Sequence, residues 1–125
     1  MAAPAKPVKQ KAWRFGQFAE TIAVWYLRVR GYRVLARRFR CRAGEIDIVA
    51  RRRRLLVFVE VKARRHLAAA ADALRPRQAA RITRAAEAFV QAHRSLAGLD
   101  QRFDVILVVP RRWPVHLVDA WRPEF

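Results

Sequence analysis

From Phe15 to Arg30 the apolar residues Phe18, Ala19, Ile22, Ala23, Tyr26 and Val29 recur at spacings of three and four. That period predicts a helix, and Gly31 stands where a C-terminal cap belongs. "YRVLARRFR" then alternates loosely, with Tyr32 and Val34 on one face and Arg33, Leu35 and Arg37 on the other, and reads as a strand. "CRAG" is a turn. "GEIDIVA" reads as a second strand, with Glu45, Asp47 and Val49 facing one way and Ile46, Ile48 and Ala50 the other. Arg51 to Arg54 form a four-residue hairpin loop into a third strand, Leu55 to Lys62. The Ala-rich stretch from His66 to Arg75 fits neither period. Pro76 opens a second helix with Ala79, Ile82, Ala86, Phe89 and His93 on one face. "RFDVILVVP" is a buried strand closed by Pro110, and "VHLVDAW" an alternating last strand at an edge.

The predicted order is α-β-β-β-α-β-β. Helices before and after a run of strands imply an α/β domain, a mixed central sheet flanked by helices. The 125 residues suit one domain, taken as residues 13–125, and 54% hydrophobic content fills its core. Residues 1–12, basic and rich in small residues, read as a disordered N-terminal arm. No apolar run approaches the roughly 20 residues of a membrane span. The lone Cys41 suits a reducing cytoplasm and excludes an internal disulfide.

Charge changes the picture. Lys and Arg number 27 against ten Asp and Glu, a net charge of +17. Such an excess points to a polyanionic partner, most often nucleic acid. Only four of the basic residues are Lys and Asn is absent, a bias that a GC-rich genome also produces. That bias explains Arg over Lys but not the scarcity of acids.

Against this background "LLVFVEVKARR" is conspicuous. Glu60 and Lys62 share a face at the end of an apolar strand, where an unpartnered charge costs several kcal/mol. Counting back from a loop centred between Arg52 and Arg53, Asp47 faces position 58. It reaches Glu60 and Lys62 diagonally, or directly if the loop is bulged. Two converging carboxylates repel each other, and a divalent cation removes the repulsion. Asp47 and Glu60 are therefore candidate ligands for Mg²⁺, for which Mn²⁺ can substitute, with Lys62 beside them to orient water. The bland alternative is a cross-strand salt bridge between Lys62 and an acid. The scarcity of acids elsewhere, and eleven arginines from Arg28 to Arg54, favour metal-dependent phosphodiester chemistry.

The segments "GYRVLARRFRCRAGEIDIVA", "LLVFVEVKARR", "RQAARI" and "RFDVILV" resemble the YraN family of bacterial proteins over nearly all of Phe15 to Trp121. That resemblance implies a restriction-endonuclease-like fold with the PD-(D/E)xK site, related to archaeal Holliday-junction resolvases. By position it makes Asp47 and Glu60 metal ligands and Lys62 the catalytic lysine, and Glu20 matches an acid that completes the site. The family often has Asn where Arg38 stands and Lys where Arg77 stands.

The expected function is a metal-dependent DNA endonuclease acting on branched or non-B-form DNA. The alternative is a non-catalytic nucleic-acid-binding protein, of DNA or associated with RNA and the ribosome, in which the ExK motif is a relic. Glu45 and Gln78 are auxiliary candidates at the site, although a pair with an arginine is the favoured reading of Glu45. Arg42, Arg51, Arg52, Arg53, Arg54, Arg64 and Arg65 are candidates for gripping phosphate, with the run Arg51 to Arg54 read as lying beside the site. Asp104 reads as a structural cap or pair. His66, His93 and His116 lack metal-ligand spacing and read as surface or packing residues. Trp13, Trp25, Trp113 and Trp121 read as packing residues by default. Junction resolution would need two active sites and hence a homodimer, for which Trp121 and Phe125 are the interface candidates.

Overall fold

The computed structural model describes residues 5–66 and 75–123, with side chains from residue 16 onward. Helix α1 spans Ala5–Val29. Residues 5–12, expected in a disordered arm, are the first turns of this helix. Ala, Lys and Gln favour it, and Pro7 falls in the first turn, where a missing N–H loses no helical bond. At the other end Gly31 takes φ 89°, open to glycine at no steric cost. There Tyr32 N–H donates to Leu27 O at 2.9 Å, closing the helix.

Five strands follow: β1 Arg33–Cys41, β2 Gly44–Arg52, β3 Leu55–Ala63, β4 Asp100–Val108 and β5 Val115–Trp121. Helix α2, Pro76–Ala92, connects β3 to β4. The strands lie side by side in chain order, with β3 and β4 parallel and every other pair antiparallel. This is the expected α/β architecture, a mixed sheet in the order α-β-β-β-α-β-β.

Each face of the sheet carries one core. Leu27 and Tyr32 pack with Ile48, Val57, Val59 and Ile106 on the α1 side. Ile82 and Phe89 pack with Ile46, Val49, Phe58 and Phe103 on the α2 side. Covered on both faces, β3 is apolar from Leu55 to Val59 and β4 from Val105 to Val108, as parallel neighbours in a sandwiched sheet are. No helix of the described residues is long and apolar enough to cross a membrane.

Two details differ from the sequence reading, and both shape the site. Pairing of β2 with β3 runs as far as Arg52↔Leu55, so the connection is a two-residue turn, Arg53–Arg54, and not a four-residue loop. Arg53 adopts φ 56° to make it. Position 47 then comes opposite position 60 instead of 58. The strict alternation of β2 also fails. Ile46 and Val49 join the α2-side core, whereas Ile48 and Ala50 join the other. On β1, Phe39 and Ala36 likewise share the α2 side, with Arg38 between them at φ 53°. The phase of both strands slips where Arg38 lies across from Asp47.

Candidate active site

That slip is what frees Asp47 from the sheet. The last β2–β3 pair toward the site is Ile48↔Val59, and the strands part beyond it. Val61 N–H, left without a strand partner, donates instead to Asp47 Oδ2 at 2.8 Å. Glu60, the residue before it, is only 7% exposed. Lys62 Nζ lies 3.1 Å from Glu60 Oε1. Gln78, in the first turn of α2, donates from Nε2 to the same oxygen at 2.8 Å. Asp47, Glu60, Lys62 and Gln78 are thus one cluster at one end of the sheet, where β2 and β3 separate beside the start of α2.

Its electrostatics are unbalanced. Burial and, after it, the Asp47 charge push the Glu60 carboxyl from its usual 4.5 up to about 8, against the opposing pull of Lys62. Burial also raises Asp47, against the Val61 N–H bond that favours its anion. The Asp47 charge disfavours ionisation of Glu60, so the pair is driven toward keeping one proton. A carboxylate pair that holds a proton at neutral pH is short of positive charge despite Lys62. Two oxygen donors facing each other in this state fit a hard divalent cation. Mg²⁺ takes one or two protein carboxylates and fills its remaining positions with water and substrate phosphate. Among the described residues no group of three or more His, Cys, Asp and Glu side chains converges as a closed metal cage.

Glu20, expected to complete the site, is buried but otherwise engaged. Arg38 Nε lies 3.2 Å from both of its oxygens, and Arg37 Nε lies 3.4 Å from one of them. Glu20 is near enough that its charge raises Asp47. It stands behind the pair and does not touch it, and the arginines that hold it were not singled out by sequence. Glu45 is exposed and pairs with Arg40 at 3.3 Å, the favoured reading of it, and its charge still raises Asp47.

The phosphate-gripping candidates divide. Arg42, in the β1–β2 turn, and Arg64 and Arg65, just after β3, lie at the same end as Asp47 and Lys62. Arg51, Arg52, Arg53 and Arg54 lie at the opposite end of β2 and β3. At about 3.3 Å per residue the Arg53 turn is about 20 Å from Asp47. Adjacency to the site, expected of them from the sequence, is excluded by the extended conformation of both strands.

Asp104 is fully buried and belongs to a separate network. It accepts from Arg102 Nε at 2.8 Å and Nη2 at 2.7 Å, and from Asp119 N–H at 3.0 Å. His116 Nε2 lies 2.7 Å from it, and Arg102 also donates to Tyr32 Oη at 2.9 Å. Burial would push this carboxyl up; the bonds from His116, Arg102 and Asp119 outweigh it and hold it below the usual carboxylate range. Asp104 is structural, as expected, and His116 is its partner. His93 stacks on Phe89 as a packing residue, and His66 is exposed.

Trp121 packs against Phe103 and donates from Nε1 to Thr83 at 3.2 Å, the packing role read for it by default rather than the interface one. Trp25 is 61% and Trp113 63% exposed, so neither is a core residue. The side chain of Trp13 lies outside the described ones. Phe125, the other interface candidate, lies outside the described residues.

Comparison with known proteins places this geometry in a family. The model of the uncharacterised protein family UPF0102 matches residues 19–108, which include every member of the acidic cluster. A UPF0102 protein of Parvibaculum lavamentivorans is 59% identical over 112 residues, 90% of this chain and 84% of its own. One of Rhodopseudomonas palustris strain HaA2 is 52% identical over 118 residues, covering 94% and 92%. A third, of Bradyrhizobium sp. strain ORS 278, is 51% identical over 120 residues, covering 96% and 85%. The chain therefore belongs to the uncharacterised protein family UPF0102.

Proposed function

We propose that the protein is a metal-dependent endonuclease that hydrolyses phosphodiester bonds in DNA, with branched or non-B-form DNA as its substrate. The observation that carries this reading is the mutually repelling carboxyl pair of half-buried Asp47 and buried Glu60, with Lys62 against Glu60, in a chain of net charge +17. Its resemblance to the restriction-endonuclease-like superfamily supports it, because the pair and the lysine fall on the PD-(D/E)xK pattern.

Asp47 and Glu60 would hold Mg²⁺, which when bound supplies Lewis-acid polarisation of the scissile phosphate. The chain's own residues do the rest. The Lys62 ammonium, 3.1 Å from Glu60, would supply positive charge beside the phosphoryl oxygens where negative charge develops. Gln78 fixes the Glu60 carboxyl in place. Glu20, clamped by Arg37 and Arg38, anchors those two guanidiniums at the site's flank, where they can meet phosphate. Arg42, Arg64 and Arg65 position the backbone without reading sequence.

A second reading, binding without catalysis, is favoured by one feature: Lys62 and Gln78 already satisfy Glu60, and Glu20 is tied up by arginine. Labelled junction, flap, single-stranded and duplex DNAs, incubated with Mg²⁺, Mn²⁺ or chelator, separate the two. Metal-dependent nicking of a structured substrate is expected. Asp47→Asn and Glu60→Gln should abolish it while DNA binding is kept or tightened, since a phosphate-repelling charge is gone. Tight binding that ignores metal, with no cleavage of any substrate, would move the protein to the binding-only class. Duplex RNA that outcompetes branched DNA would move it to RNA.

A further inference from the structure

The turn at Arg53–Arg54 was expected beside the acidic site and lies instead about 20 Å from it along β2. The Debye length at physiological salt is about 8 Å, so charges at the two ends act independently. One phosphate cannot be held by both.

Six arginines gather at the turn end. Arg51, Arg52, Arg53 and Arg54 form the hairpin, Arg33 pairs with Arg51 across the strands, and Arg52 Nη1 donates to Arg30 O at 3.2 Å. Among the described residues, none of the four hairpin arginines forms an ion pair with a carboxylate. Their bonds to backbone use few donors. Arg51 Nε donates to Arg53 O at 2.9 Å and Arg54 Nη2 to Gly98 O at 3.4 Å. A guanidinium carries five N–H donors in a fork that matches phosphate, so most remain available. Arg52, Arg53 and Arg54 line a depression of about 510 Å³ in which Asp100 is the one acid.

The turn itself argues against a merely structural role. Arg53 sits at φ 56°, where glycine or asparagine is at ease and arginine costs about 1 kcal/mol or more. Stability alone would not select a strained arginine among exposed like charges.

We infer that the hairpin end of the sheet is a second nucleic-acid contact surface, which grips the phosphate backbone of a DNA segment other than the one at Asp47 and Glu60. This rests on the DNA reading above and deepens it: the substrate presents two backbone segments at once, one to each end of the sheet.

Capture between two duplexes tests it. A short immobilised duplex is loaded with the full-length chain in chelator, washed, and offered a fluorescent duplex of the same length. The parent protein should retain the second duplex. The double variant Arg53→Gly with Arg54→Ser removes two charges and puts glycine at the left-handed position, so folding is favoured. It should lower capture about tenfold and reduce the salt slope of second-duplex binding by about 1.8, two phosphates' worth. Arg33→Ser with Arg54→Ser, which leaves Arg53 in place, should weaken capture in the same way. Failure of the loaded parent to capture, or undiminished capture by both folded variants, overturns the second surface. Sedimentation of the parent excludes bridging by a dimer, which both variants would share. Cleavage with Mg²⁺ is scored separately: its absence alongside intact capture would sink the nuclease reading and leave this one standing.

Discussion

Glu60 is the residue whose ionisation the fold disturbs most among the acids at the site. Its folded carboxyl titrates at about 8 against 4.5 ordinarily, because burial and Asp47 disfavour the charge. A raised acid pKa favours the protonated folded form, so the associated stability is full below the ordinary value. It is lost as pH rises from about 4.5 through about 8, because there the unfolded chain has released a proton that the folded one still binds. Urea unfolding over that window should show the parent weakening relative to Glu60→Gln, which carries no proton to lose. Parallel curves would mean that Glu60 is not protonated in the fold. The same proton predicts that Mg²⁺ binding at neutral pH releases protons, which calorimetry in buffers of different ionisation heat detects. Asp104 behaves oppositely. It is already matched by Arg102 and His116, so Asp104→Asn breaks an ion pair whose carboxylate is fully buried, leaves the half-buried Arg102 guanidinium unpaired and should cost about 3 kcal/mol of stability in urea unfolding.

At the scale of elements, the site exists because two strands part. Where the β2–β3 ladder ends, Asp47 takes over as acceptor for Val61 N–H. Asp47→Ala orphans that donor and should cost about 1–3 kcal/mol, with faster hydrogen exchange at the Val61 amide. Asp47→Asn keeps an acceptor and relieves the repulsion with Glu60, so its stability should match or exceed the parent's even though its metal affinity falls. Equal losses for the two variants would show that the Val61 bond carries no weight. Helix α2 contributes through its first turn, which brings Gln78 onto Glu60. Helix α1 contributes through Glu20, which orders Arg37 and Arg38.

For the whole molecule, the balance is a small acidic site within a strongly positive surface. A cation that binds only the folded protein stabilises it by RT ln(1 + [L]/Kd), about 2.7 kcal/mol at a hundredfold excess over Kd. Thermal unfolding should therefore shift upward with Mg²⁺ in the parent and stay still in Asp47→Asn and Glu60→Gln. DNA affinity should fall steeply with salt, at about −0.9 in log–log slope per phosphate neutralised. A slope near zero would remove the electrostatic basis of the proposal.

The sequence by itself determined the element order, the mixed sheet and the identity of the acidic pair. Helix and strand periods, a capping glycine and an apolar run broken by Glu-x-Lys are local signals, and the covalent chain carries them in full. Helix α1 begins at Ala5, ahead of the apolar stripe that predicted it. Only the tertiary structure decided what depends on pairing. A two-residue turn in place of a longer loop moved Asp47 from opposite position 58 to opposite Glu60. The phase slip at Arg38 and Asp47 freed a carboxylate for Val61. Neither is legible in composition, since no glycine or asparagine marks the Arg53 turn and nothing in Arg38 announces a left-handed backbone. The sequence also showed RRRR near the site in number, but an extended chain turns a few residues into about 20 Å. Proximity along a strand is distance in space, and only packing tells which of the neighbours in sequence meet.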